Sequence, residues 1–158
     1  MNKELVNQAL SIPVPDGFRP MSGEELRQAY GNDDPNRRGL WNRESHVIIA
    51  VLWKEYPALL RFMLRDLKAV CRKNEQLHSR EYAGHDYHCG GFFSQTVGGQ
   101  PAEGYRFTYS AGGAAQSAET VLVRQGGTVY SITCAGRTEN RESDHALFAG
   151  ILEGISFQ

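Results

Sequence analysis

Cysteine is scarce in this chain. Cys71, Cys89 and Cys134 are the only three in 158 residues, too few and too widely spaced for a disulfide scaffold or a CxxC clip, and an odd number leaves at least one unpaired. A reducing, cytoplasmic compartment is the expectation. Excess charge is also missing: 17 Lys and Arg stand against 18 Asp and Glu, so no global field recruits nucleic acid or an anionic membrane. An electrostatic partner has to meet a local patch. Met1 to Leu10 alternates polar and apolar residues and lacks the apolar stretch of a secretory leader. No internal repeat, low-complexity segment or long linker interrupts the chain.

What is present is globular. Apolar residues at 41% and charged residues at 22% exclude wholesale disorder, collagen and coiled coil, and speak against a membrane span. The length suits one core, so residues 1–158 are expected to form a single domain.

The segment Leu5 to Ile12 reads as a strand, ended by Pro13-Val14-Pro15-Asp16-Gly17, where two prolines and an Asp-Gly step force a turn. Ser22-Gly23-Glu24-Glu25 has the S-x-x-E form of a capping box, and a short helix to about Tyr30 follows. Gly31 to Gly39 contains no apolar residue and is expected at the surface. Val47 to Trp53 is apolar on both alternating faces, which places it centrally in a sheet with both sides covered; with Leu40 to Trp41 and the turn at Asn42 to Ser45 it predicts a hairpin over 40–53. Leu60, Met63, Leu64, Leu67, Val70, Cys71 and Leu77 recur at helical spacing, predicting one helix over 57–77 that begins at Pro57 and buries Leu60, Met63, Leu67 and Val70. Strands are expected near 80–87, 90–97, 104–111, 116–125 and 128–135, with Gly-rich turns between them. A final helix is expected over 142–154.

Hairpin arithmetic gives registers. A two-residue turn at Gly126-Gly127 pairs Gln125 with Thr128, Val123 with Tyr130, Val121 with Ile132 and Glu119 with Cys134. A two-residue turn at Gly112-Gly113 would set Tyr109 and Phe107 against Gln116 and Ala118, on the polar side of the next strand. An odd-length connection, which aligns the aromatics with Val121 and Val123, is expected there instead. The fold class is therefore α+β: an antiparallel sheet with helices on both faces, an α-β-α sandwich.

Several segments carry a resemblance. Ile12-Pro13-Val14-Pro15-Asp16-Gly17-Phe18, Gly104-Tyr105-Arg106-Phe107-Thr108-Tyr109, Glu119 to Arg124, Gly127 to Thr133 with Tyr130, and Ile151-Leu152-Glu153-Gly154-Ile155-Ser156-Phe157 together resemble the PsbP-like superfamily. Photosystem II PsbP proteins, a Ran-binding nuclear-import factor and many small bacterial proteins share that fold. Gly154 stands where the pattern has Ser. These are turn and core residues, so the resemblance implies a scaffold, a binding or assembly role, and no shared catalytic set. Some similar bacterial domains act as chaperones or adaptors for secreted membrane-active proteins, which implies a chaperone-like role as one form of it.

The candidate chemistry is thin. His85, Asp86, His88 and Cys89 form the densest group of potential ligands, and a small metal protein or hydrolase-like enzyme centred on them is the alternative to a binding role. On a strand, however, His85 and His88 point to opposite faces, adjacency does not set His88 on the Cys89 thiol, and Cys89 is expected to pack inside. Cys71 and Cys134 fall on apolar faces. The glycine pairs precede strands rather than helices, so they are turns and no phosphate loop. No metal site, cofactor or catalysis is expected. The stripe Arg61, Arg65, Lys68 and Arg72 is the most prominent surface feature and marks a face for an acidic protein partner; Asp66 and Glu75 dilute it as a nucleic-acid patch. The loop bearing Asp33, Asp34, Arg37 and Arg38 is the second contact surface expected.

Overall fold

The computed structural model describes residues 2–32 and 34–158. Its chain reverses sooner than a single strand over 5–12 allows. Asn7 and Gln8 both adopt left-handed φ, 53° and 56°, and divide that segment into antiparallel strands β1 (Lys3–Val6) and β2 (Leu10–Pro13). Asn tolerates this conformation because its short side chain hydrogen-bonds locally or nearby; here the Asn7 amide donates to the Tyr130 hydroxyl at 3.1 Å.

After β3 (Arg19–Pro20), helix α1 (Gly23–Tyr30) begins on the capping box. The Ser22 hydroxyl accepts from the Glu25 N–H at 3.2 Å while the Glu25 carboxylate accepts from the Ser22 N–H at 2.9 Å. Strands β4 (Arg37–Asn42) and β5 (Val47–Glu55) form the expected hairpin. Its turn is held by the side-chain oxygen of Asn42, which accepts from the N–H groups of Glu44 and Ser45. The strand takes in the end of the polar segment: Arg37 to Gly39 belong to β4, and Gly39 is buried.

The long helix is broken. A 3₁₀ segment, Ala58–Leu64, precedes helix α2 (Leu67–Glu81), and Asp66 between them caps α2 by accepting from the Ala69 N–H at 3.2 Å. A side chain that satisfies a free helix N–H makes a start point, so Asp66 restarts the helix and the helical phase is lost across it. Leu64 is buried, Leu67 and Val70 are half-buried, and Leu60 and Met63, expected in the core, are exposed. The helix also runs past residue 77 to Glu81, so the segment 80–87 is helix end and turn rather than strand.

Strands β6 (His88–Val97), β7 (Gln100–Ala111), β8 (Ala114–Gln125) and β9 (Thr128–Arg137) follow as consecutive hairpins. Helix α3 (Arg141–Glu153) and the short β10 (Ser156–Phe157) complete the chain. The large antiparallel sheet runs β3-β4-β5-β9-β8-β7-β6, and β1-β2-β10 form a second, smaller one.

Register at Gly126-Gly127 is as the arithmetic gives it, with Val123 opposite Tyr130 and Glu119 opposite Cys134. At Gly112-Gly113 the expectation of an odd connection is wrong: Ala111 pairs with Ala114, and Phe107 faces Ala118. Both glycines take positive φ, 59° and 79°, the backbone a two-residue hairpin turn requires. The aromatics tolerate this register because the face they share with Ala118 and Thr120 is covered. Tyr105, Phe107, Ala118, Leu122 and Val129 pack beneath α2 with Leu64 and Cys71. Thr120 is fully buried there and meets Thr133 across the strands, hydroxyl to hydroxyl, at 2.8 Å. On the opposite face Val47, Ile49 and Val51 of β5 join Val121, Val123, Tyr130 and Ile132 against Phe148, Ile151 and Leu152 of α3. The α-β-α sandwich is therefore observed, with α2 on one face and α3 with the small sheet on the other.

Candidate partner-binding surface

Four large apolar side chains project from the 3₁₀ segment. Leu59 is 87% exposed, Phe62 62%, Met63 45% and Leu60 43%. Only Leu64 of this strap enters the core. The short helix also tethers itself: Leu60 N–H donates to the Pro57 carbonyl, and Tyr56 N–H to the Gly127 carbonyl, each at 2.8 Å. An exposed apolar cluster marks contact with another molecule more often than isolated surface leucines do.

The basic residues expected to form one helical stripe are divided by the same break. Arg61 lies in the strap, where its Nε donates to the Tyr56 carbonyl at 3.3 Å and its guanidinium lies against Gly127. Arg65 stands at the joint, and Lys68 and Arg72 on α2. All four are exposed, and among the described residues none of them forms an ion pair. Lys68 and Arg72 overhang Phe92 and Ser94 of β6, forming a shallow hollow of about 210 Å³.

The second surface is tied inward. The Arg37 guanidinium lies 4.3 Å from the Tyr30 ring centre and donates to Asn32 at 2.9 Å, and Arg38 lies over Trp53. Asp34 accepts from the Asn36 N–H at 2.9 Å, a local turn bond. Asp33 lies outside the described residues.

The His/Cys group does not converge. His85 and Asp86 sit in the turn after α2, and Asp86 takes a positive φ of 55°. His88 and Asp86 are 3.2 Å apart and both largely in solvent. His88 pairs with Thr108 and Cys89 with Phe107, so their side chains leave opposite faces of β6. Cys89 is exposed rather than packed inside, because β6 is the sheet edge and a bulge after Cys89 opens the pairing. Among the described residues no group of three His, Cys, Asp or Glu side chains could hold a metal ion.

One polar cluster escaped the sequence reading. In a cavity of about 470 Å³ between the start of α3 and strands β6 to β9, Glu119 accepts from Arg106 Nε at 2.8 Å and meets His145 Nδ1 at 2.8 Å. Arg106 in turn lies 4.3 Å from the centre of the Phe93 ring. The hairpin arithmetic places Glu119 opposite Cys134, but no local spacing points to His145, which is brought in by the packing of α3. The carboxylate orients the imidazole, and two nucleophile types lie nearby. Burial, with Asp144 and Glu119 adding to it, pushes the Cys134 thiol up to about 12, and the Ser117 hydroxyl is engaged with Thr138 at 2.9 Å. On the sheet-facing side of α2, burial lowers His78 to about 4. It is neutral at pH 7, with its Nδ1 hydrogen-bonded to the Tyr105 hydroxyl.

An antiparallel sheet with helices on both faces, and a small sheet of N- and C-terminal strands beside it, defines the class as an α+β sandwich. The particular fold is PsbP-like. The chain superposes on the cyanobacterial PsbP protein CyanoP of Synechocystis with a TM-score of 0.75 at 9% identity, over 99% of this chain and 92% of that one. The Saccharomyces cerevisiae Ran-binding protein Mog1p gives 0.63 at 13% identity, over 98% and 95%. LpqN of Mycobacterium tuberculosis, involved in cell envelope biogenesis, gives 0.58 at 15%, over 94% and 83%. No family model matches the sequence, and no curated protein does. Among the described residues no helix is long and apolar enough to cross a membrane.

Proposed function

We propose that this chain is a non-enzymatic protein-binding adaptor, chaperone-like in presenting an apolar surface, whose contact face is the strap Ala58–Leu64 together with Arg65, Lys68 and Arg72 of the joint and α2. The observation that carries the reading is the solvent exposure of Leu59, Phe62 and Met63 on the 3₁₀ segment. Apolar anchors flanked by exposed cations suit a partner with apolar side chains set among carboxylates, since the anchors supply affinity and the charges supply orientation and encounter rate. That a Ran-binding protein shares the fold supports a protein partner by analogy only. Arg61 and the Asp34, Arg37 and Arg38 loop are secondary contacts, because their side chains are already engaged within the chain.

Affinity capture from the native source tests this directly. The variant L59D/F62D is expected to fold and to lose the partner recovered by the wild type, and R65E/K68E/R72E to weaken capture, which for the wild type also weakens as salt rises. Replacing His85, His88 and Cys89 with Ala is expected to leave capture unchanged. If L59D/F62D recovers the same partner while the triple Ala variant folds and loses it, the contact site is the His/Cys group instead.

A further inference from the structure

The large sheet ends in an unprotected strand. β6 is the outermost member on its side, and its burial pattern shows exposed residues over most of its length. Among the described residues, no backbone hydrogen bond outside the pairing with β7 reaches residues 88–97. A long strand edge offers a row of free N–H and C=O groups, and proteins usually block such a row with Lys, Pro or a covering element. Here the sequence His88 to Val97 contains no Lys, Arg, Asp, Glu or Pro. A bulge between Cys89 and Gly91 twists the start of the edge away, but pairing is regular from Gly91 to Val97.

The flank of this edge has a definite chemistry. On the α2 side, Phe92 is 51% exposed with its ring 5.7 Å from that of Tyr105. Ser94 follows on the same side and donates to the Glu103 carboxylate at 2.8 Å. Lys68 and Arg72 stand above both and form no ion pair among the described residues. Glu103, the one carboxylate in the hollow, is occupied by Ser94.

From this we infer that β6 binds an extended acidic segment of another protein as an added strand, with Asp or Glu at alternate positions on the α2 side reaching Lys68 and Arg72. This is strand addition, in which the backbone ladder gives affinity and alternate side chains give specificity. A second copy of this chain is disfavoured by charge. An antiparallel β6–β6 pair has its two-fold axis perpendicular to the sheet, so both α2 helices lie on one side and bring Lys68 and Arg72 of the two copies together. The inference rests on the protein-binding reading and names a route of binding separate from the apolar strap.

The probe is the peptide acetyl-(Glu-Val)₅-amide, titrated into the full chain and followed by backbone amide NMR. Shift changes and slowed amide exchange are expected at residues 91–97. Affinity is expected to fall about tenfold or more in K68E/R72E, with acetyl-(Lys-Val)₅-amide, and with the acidic peptide N-methylated along its backbone, which keeps the charge and removes the ladder donors. Equal binding of the N-methylated peptide, changes confined to the strap, no binding at all, or a β6-mediated dimer by sedimentation would each overturn it. Loss of native partner capture in L59D/F62D while the peptide still binds β6 separates this result from the adaptor reading.

Discussion

Buried polar side chains of this protein are placed by partners rather than by charge. Tyr105 is fully buried, and its hydroxyl accepts from Asn74 at 2.7 Å while meeting His78 Nδ1; with His78 neutral, the phenol proton points to that nitrogen. His78 also stacks on Phe107 at a centroid distance of 4.8 Å. Burial lowers its pKa from 6.5 to about 4, so the unfolded chain takes up the proton first. The stability this group contributes is complete above about pH 6.5 and is lost as pH falls toward 4, at most about 3 kcal/mol. His78→Phe, which keeps the ring packing, is expected to flatten the dependence of the denaturant midpoint on pH over that interval; parallel profiles for the two proteins would contradict it. Glu25 titrates in a lower window, held down to about 2 by the Arg19 side chain and the Ser22 N–H. A second residue-scale case is Gly104. A methyl group there would lie 2.6 Å from both the Thr120 carbonyl oxygen and the Phe93 ring. Gly104→Ala is expected to cost about 1–3 kcal/mol in chemical unfolding.

Among the elements, the strap between β5 and α2 departs most from its sequence pattern. Pro57 and the apolar spacing describe one amphipathic helix, but capping by Asp66 starts α2 afresh, and the seven residues Ala58–Leu64 before it wind as 3₁₀ helix. In that geometry Leu64 turns into the core beside Cys71, Leu122 and Val129 while its neighbours face out. Leu64→Ala is therefore expected to destabilise by about 2–5 kcal/mol, and Leu59→Ala or Phe62→Ala by no more than about 0.5 kcal/mol. Thermal melts of the three variants check this. Comparable losses at all three positions would mean that the strap packs inward in solution, which would also remove the basis of the proposed contact face.

At the scale of the whole molecule, the two ends of the described chain close the sandwich together. β10 pairs with β2, setting Phe157 opposite Leu10, and the Gln158 N–H donates to the Ala9 carbonyl at 2.8 Å. The Phe157 ring packs against Tyr130 of the large sheet, and Ile155 is buried in the α3-side core. Removing residues 155–158 strips a buried Ile, most of a Phe and one edge of the small sheet. A loss of about 3–5 kcal/mol is expected, with a lowered melting temperature and new exposure of Tyr130 to fluorescence quenchers. A truncated chain that melts with the full-length one would show the small sheet to be dispensable.

Period-two and turn signals were legible in the sequence because they are local. Gly126-Gly127 sets its own register, Ser22 and Glu25 their own cap, and the doubly apolar Val47 to Trp53 its covered position between β4 and β9. The α+β sandwich follows from their sum. Periodicity failed where a nearby side chain or a distant layer decided the outcome. Asp66 competes for the helix start, so Leu60 and Met63 have the spacing of core residues and the environment of surface ones. At Gly112-Gly113 the two-residue turn rule by itself gives the observed register, and the expectation against it failed because α2 covers the Tyr105–Tyr109 face, a fact about packing that hairpin patterning does not contain. Cys89 is exposed because β6 has no neighbour beyond it. His145 reaches Glu119 because α3 docks across the sheet, joining residues 26 positions apart. Sequence alone determined what each segment can form; the packed layers decided which of its faces are left to meet another molecule, because exposure is a property of neighbours rather than of residues.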